Sequence, residues 1–230
     1  MRKFILVICI IVLIFSLYQI ALYVIEAKNV NDMHREIADI YYNNEANKNN
    51  KDKFKDLGEN VVGWLTIPGT RIDYPVVQGN DNDYYLDHDI KDNENRHGAI
   101  FMDYRNDPYE DENLIIYGHH MKDGTMFKDL VKFKDKDFFD KNRYLYLDIG
   151  DEKTKYEIFS VYIIDASSAS LILSFGDTKE YEAFFNTIKE RSLFPSDVSF
   201  SENGRMITLS TCTYEYDDAR LLVHAFSVDE

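Results

Sequence analysis

The sequence predicts a mainly β protein, a closed barrel or a sandwich, carried on an N-terminal membrane helix. Three observations lead there. Phe4 to Ile25 is one apolar run without a charge, about the twenty residues a membrane helix needs. From Val61 onward the chain breaks into many short apolar runs separated by turn signals, the pattern of a closed or layered all-β unit. Only one later stretch, Thr178 to Arg191, has helical spacing, with Tyr181, Phe184, Phe185 and Ile188 on one face.

Taken in order, Arg2 and Lys3 precede the apolar run while Glu26 and Asp32 follow it. The positive-inside bias places the N-terminus in the cytoplasm and the remainder outside. A cleaved signal peptide is the alternative, but the run is long and Ile25-Glu26-Ala27 is a poor cleavage site. We expect an uncleaved signal anchor, and hence a single-pass protein of the cell membrane. Val30, Met33, Ile37, Ile40 and Tyr41 then mark one face of an amphipathic helix, read as a stalk and an N-terminal cover for the β domain. Asn43 to Lys53 is polar and predicts a linker or helix break, and a second short helix is expected around Phe54 and Leu57. The expected organisation is 1–26 cytoplasmic tip and anchor, 27–52 stalk and linker, and 53–230 β domain.

Strands are expected at Val61 to Ile67, closed by Pro68-Gly69, and at Ile72 to Val77, followed by the turn-rich Gln78 to Asn82. Tyr84 to Leu86 is a short apolar patch. Further strands are expected at Gly98 to Asp103, Leu114 to Tyr117, Tyr144 to Ile149, Lys155 to Ile164, Met206 to Cys212 and Leu221 to Val228. Phe127 to Phe133 reads as a short helix or turn. The net charge of −15 argues against nucleic acid as a partner, because phosphate contacts need a basic face.

The two cysteines, Cys9 in the apolar run and Cys212 near the other end, fall in different compartments, so no intramolecular disulfide is expected. Cys212 ends a strand and is either a buried bystander or a nucleophile. A thiol becomes a good nucleophile as a thiolate, which needs a base or a neighbouring cation. Of the six histidines, His34 lies on the stalk, His88 and His97 in polar loops where solvated histidines are common, and His224 inside the last strand as a wall residue. His119 and His120 follow a buried strand and a glycine. One of this pair would serve the cysteine, and His119, nearer the strand, is our choice. Arg220 opens the strand expected to pair with that of Cys212. It cannot act as a base. It either donates hydrogen bonds to a developing oxyanion or makes a surface ion pair with Asp217 or Asp218.

Adjacent histidines diverge and no Cys-x-x-Cys or His-x-x-x-His pair exists, so no metal site is expected. The acidic stretches Asn80 to Asp83 and Asp103 to Glu112 match no calcium loop and read as solvated loops.

Thr208-Leu209-Ser210-Thr211-Cys212 with Arg220, preceded by Tyr117-Gly118-His119, resembles the sortases. The segments Val62 to Thr70, Asp73 to Gln78, Asn82 to Leu86, Gly98 to Tyr104 and Gly118 to Phe127 are similar to class B sortases in particular, as is the late helix. The resemblance runs from about Lys53 to the C-terminus, with no departure at Cys212, His119 or Arg220. It implies an eight-stranded sortase-type β-barrel and a cysteine transpeptidase of a Gram-positive bacterium that needs no cofactor. It implies that Cys212 attacks the threonine carbonyl of a C-terminal sorting motif, that His119 protonates the leaving amine, and that Arg220 stabilises the oxyanion or positions the motif's backbone. By the same resemblance Tyr117, Asn82, Leu86, Ser210 and Thr211 line the motif's groove. The implied partners are secreted proteins bearing that motif and an amine of peptidoglycan or its lipid-linked precursor. Rival readings are a pilin-polymerising sortase, a hydrolytic cysteine peptidase, and a membrane-tethered β domain that only binds. On the transpeptidase reading, His120→Ala is expected to keep most activity.

Overall fold

The computed structural model describes residues 2–46, 53–168, 171–213, 215 and 218–228. Eight strands close into a barrel: β1 (Val61–Thr66), β2 (Asp73–Gln78), β3 (Ile100–Met102), β4 (Asn113–Tyr117), β5 (Tyr144–Ile149), β6 (Glu152–Asp165), β7 (Met206–Cys212) and β8 (Ala219–Ser227). Their order around the barrel is β1-β2-β3-β4-β7-β8-β6-β5, and β5 pairs back onto β1. Two neighbouring pairs are parallel, β2 with β3 and β4 with β7; the others are antiparallel. The barrel outcome therefore replaces the barrel-or-sandwich alternative. Every expected strand is present, shifted by up to three residues at its ends.

The interior is filled by inward-facing residues of the strands, among them Leu65, Val76, Ile116, Leu147, Leu209 and Val223. Parts of the outer face are buried too, which explains why several strands read as near-continuous apolar runs instead of alternating ones. On one side Trp64, Val77 and Phe101 pack against Ile37, Tyr41, Phe54 and Leu57. On another, Phe159, Tyr162 and Phe226 pack against Tyr181, Phe185 and Ile188 of α3 (Thr178–Arg191), the third helix. Asp177 caps α3 by accepting from the Glu180 N–H at 2.9 Å.

The N-terminal region differs from expectation in two respects. The apolar run and the amphipathic segment form a single helix, α1 (Arg2–Ala46), without a break between anchor and stalk. No glycine or proline interrupts this stretch, so nothing stops helix propagation through Glu26. Val30, Ile37 and Tyr41 are its buried residues, and Phe4 to Ile25 stays exposed apart from Tyr23. The linker expected at Asn43 to Lys53 falls mainly outside the described residues. Phe54 and Leu57 are buried as anticipated, but they sit in turns and not in a helix. A six-residue helix, α2 (Lys136–Lys141), was not anticipated; Asp135 caps it by accepting from the Phe138 N–H at 2.9 Å.

Candidate active site

The barrel's topology brings the candidate residues to one rim. β4 and β7 run parallel, with Tyr117 beside Ser210, so the chain leaves both strands at the same end. His119 follows β4 there, and Cys212 closes β7. β8 returns antiparallel to β7 and places Arg220 directly across from Cys212. Three residues distant in sequence thus share one edge because of two pairings, one parallel and one antiparallel.

They line a cavity of about 320 Å³ together with Asn82, Leu86, Phe101, Tyr117, Gly118, Ser210 and Thr211. All eight residues singled out from the sequence are in this lining. Cys212 is half-buried, and the Arg220 guanidinium donates to its sulfur through Nη1. No ion pair of Arg220 with Asp218 is present among the described residues, and Asp217 lies outside them. The His119 Nε2–H donates to the Leu86 carbonyl at 2.6 Å, an orientation that keeps the ring at the cavity wall.

The segment before His119 needs glycine. A Cβ on Gly118 would lie 2.5 Å from Ile100 Cδ1 and 2.8 Å from the Phe127 ring, so any side chain there would push the turn out of place. Gly118 is instead held to β7: its N–H donates to the Ser210 carbonyl at 3.2 Å, and its carbonyl accepts from Thr211 Oγ1 at 2.8 Å. Thr211 therefore holds the histidine turn as well as lining the cavity.

Behind the lining sits Asp103, which is fully buried. Its carboxylate accepts from Asn82 Nδ2 at 3.0 Å, from the Tyr117 hydroxyl at 2.9 Å, and from Arg105 Nε and Nη2 at 2.9 and 2.8 Å. The Asn82 Oδ1 accepts from the Tyr104 N–H at 3.0 Å, which fixes the amide's orientation. Burial alone would raise the Asp103 pKa, but the hydrogen bonds from Arg105, Tyr117 and Asn82 outweigh it and hold the carboxyl below its ordinary value. This corrects the reading of the Asp103 to Glu112 stretch as uniformly solvated. The available signal was an aspartate closing the apolar run Ala99 to Met102.

The remaining histidines divide. His224 is buried in the wall as expected, bonded to Thr208 and Tyr162 at 2.9 and 3.2 Å. His34 packs edge-on against Tyr74. His97 departs from the expected solvated loop position. It is fully buried, with Nε2 2.7 Å from Asp123 and Nδ1 3.1 Å from Asn95. His120 is turned away from the cavity, and its Nδ1 lies 2.9 Å from the Cys212 carbonyl.

Known proteins share this fold and much of this sequence. The sortase domain family model matches residues 65–228. The chain is 37% identical to sortase B of Listeria monocytogenes over 222 residues, covering 92% of this chain and 90% of that protein. It superposes on the Staphylococcus aureus sortase B–substrate complex with a TM-score of 0.82 at 29% identity, covering 89% of this chain and 99% of that one. A sortase B complexed with triglycine gives a TM-score of 0.81 at 29% identity, covering 88% and 98%.

Proposed function

The chain belongs to the sortase family, within its class B, and is a cysteine transpeptidase; on that premise we propose a reaction course and assign its steps to named residues. The observation that carries the proposal is the convergence of one thiol, one imidazole and one guanidinium on a single peptide-sized cavity.

The Cys212 thiolate attacks the carbonyl carbon of the threonine in a sorting motif. The C–N bond of the scissile peptide breaks, and His119 gives its proton to the leaving amine. Arg220, aimed at the sulfur, is also within reach of the carbonyl oxygen as that oxygen gains charge. A second amine then attacks the thioester carbon, the Cys212 thiolate departs, and His119 takes up the amine's proton. Asn82, Leu86, Tyr117, Ser210 and Thr211 form the wall against which the motif lies. The neighbours solved with a substrate and with triglycine support a peptide donor and an amine acceptor.

The donors are secreted proteins with a C-terminal sorting motif, and the acceptor is an amine of peptidoglycan or its lipid-linked precursor. The apolar half of α1 is long enough to cross a membrane. We place the catalytic domain outside the cell, with the N-terminus in the cytoplasm. Anchoring enzyme and substrate to one surface raises their effective concentration.

The test is mass spectrometry of the full-length chain mixed with peptides of differing motif letters. A thioester on Cys212, lost in Cys212→Ala and resolved to an aminolysis product by added amine, is expected. A product of hydrolysis alone, whatever amine is supplied, would replace transpeptidation by peptidase activity. A chain that never acylates would leave only a binding domain.

A further inference from the structure

The turn after β4 carries two histidines, and the reaction uses only one. The His120 ring is buried, 8% exposed, and both its nitrogens are engaged. Nδ1 is 2.9 Å from the Cys212 carbonyl oxygen, and Nε2 is 2.5 Å from Lys128 Nζ. These partners decide where the proton sits. A carbonyl oxygen only accepts, so Nδ1 must carry hydrogen; an ammonium only donates, so Nε2 must offer its lone pair. A neutral ring protonated on Nδ1 satisfies both, whereas an imidazolium would set an N–H against the ammonium. Burial lowers the His120 pKa, and the charges of Lys128 and Lys134 add to that, against the Cys212 carbonyl and Glu215.

This contact completes a series. Gly118 is bonded to Ser210 and Thr211, and His120 is bonded to Cys212. The β4–β7 pairing is therefore prolonged beyond the end of β4, and its last rung joins the residue after His119 to the residue that carries the thiol. The Phe127 N–H, donating to the His119 carbonyl at 2.9 Å, closes the turn from the other side.

We propose that His120 is a positioning residue: a neutral, Nδ1-protonated imidazole, held in that tautomer by Lys128, that fixes the Cys212 peptide unit and so sets the thiol against His119 and Arg220. The proposal rests on the reading of Cys212 as the nucleophile. It changes the expectation that His120→Ala keeps most activity. Losing one hydrogen bond to the nucleophile's backbone should lower kcat by about tenfold, with KM for the peptide little altered.

The test uses the full-length chain in detergent micelles, labelled with 15N-histidine. Two-bond 1H–15N correlations are expected to report the Nδ1–H tautomer for His120 at pH 7, with the Nε2–H form growing in Lys128→Met. In kinetics with a sorting-motif peptide and an amine, His120→Asn places a donor where Nδ1 was and should recover most of the kcat lost in His120→Ala. A wild-type Nε2–H tautomer overturns the proposal, as does full activity of His120→Ala. Equal loss in the Asn and Ala variants also overturns it, and complete loss in both would make His120 the proton donor itself. If His120→Ala does not fold, the tautomer and the kcat of Lys128→Met decide. A wild type that never forms the thioester removes the nucleophile assignment and this proposal together. One that acylates while His120 holds the Nε2–H tautomer removes this proposal alone.

Discussion

At Asp103 one buried carboxylate takes hydrogen bonds from Asn82, Tyr117 and Arg105, and two of these donors line the cavity. Asp103→Ala leaves all three donors without this acceptor. Arg105 is half-exposed and stays solvated, so the cost is that of the lost hydrogen bonds to the part-buried Asn82 and Tyr117, about 1–3 kcal/mol, and the freed side chains should raise KM for the motif peptide more than they lower kcat. Denaturant melts and steady-state kinetics on the same variant measure both effects; an unchanged KM would separate Asp103 from the groove. On the proposed reaction course Arg220 acts instead on the reacting atoms. Lysine at this position keeps the charge but loses the planar fork. Arg220→Lys is therefore expected to lose about a hundredfold or more in kcat/KM, with Cys212 alkylation by a small thiol reagent still measurable. Cys212→Ala and His119→Ala should each abolish cleavage outright. Activity surviving in His119→Ala would refute its role as proton donor.

At the scale of elements, α1 is the one whose behaviour was least evident from its sequence. Its Tyr41 ring stacks on Trp64 at 4.2 Å, nearly parallel, and its hydroxyl donates to the buried Asp148 at 2.7 Å. Truncating a buried aromatic of this size costs about 3 kcal/mol or more. Tyr41→Ala should thus release the lower part of α1 from the barrel, seen as faster amide exchange over residues 30–46 while the strands stay protected. Acid should loosen the same contact. Burial, with repulsion from His97, lowers the His34 pKa from 6.5 to about 4. The unfolded or undocked state then binds the proton more readily than the docked one. Docking is full above pH 6.5 and weakens as pH falls towards 4. Amide protection in α1, corrected for the intrinsic exchange rate, is expected to fall as pH drops from 6.5 towards about 4, and His34→Phe should remove the dependence.

For the molecule as a whole, acid stability draws on two kinds of group. His224 is neutral in the barrel wall, its pKa lowered by burial to about 3. It withdraws stability as pH falls below 6.5, where the unfolded chain takes the proton and the folded chain does not. Asp129 acts in a lower window. Burial opposes its ionisation, but hydrogen bonds from Arg71 and Lys132 hold its pKa near 2, below the ordinary 3.8. Its contribution is complete above the ordinary carboxylate range and is lost as pH falls through about 2. Urea unfolding from about pH 7 to about pH 2 should show two successive losses. Arg71→Met is expected to shift only the lower one upward, and a shift of the upper one instead would contradict the assignment.

Local pattern alone determined much of this protein. The charge-free run at Phe4 to Ile25, the strand segments and the helix at Thr178 to Arg191 are written in apolar spacing and turn residues, which act over a few positions. Cys212, His119 and Arg220 also stood out as candidates at strand ends, but local pattern left the thiol open between bystander and nucleophile, and their roles came from the resemblance to sortases. What pattern cannot carry is which strands become neighbours. The parallel pairing of β4 with β7 brings His119 to Cys212, and it joins positions about ninety residues apart. The burial of His97 and Asp103 in stretches that read as polar loops depended on partners such as Asp123, Asn82 and Tyr117 arriving from elsewhere. The second histidine at the turn read as a bystander for the same reason. Its role is defined by Lys128 and the Cys212 carbonyl, and that carbonyl reaches it only when the barrel closes.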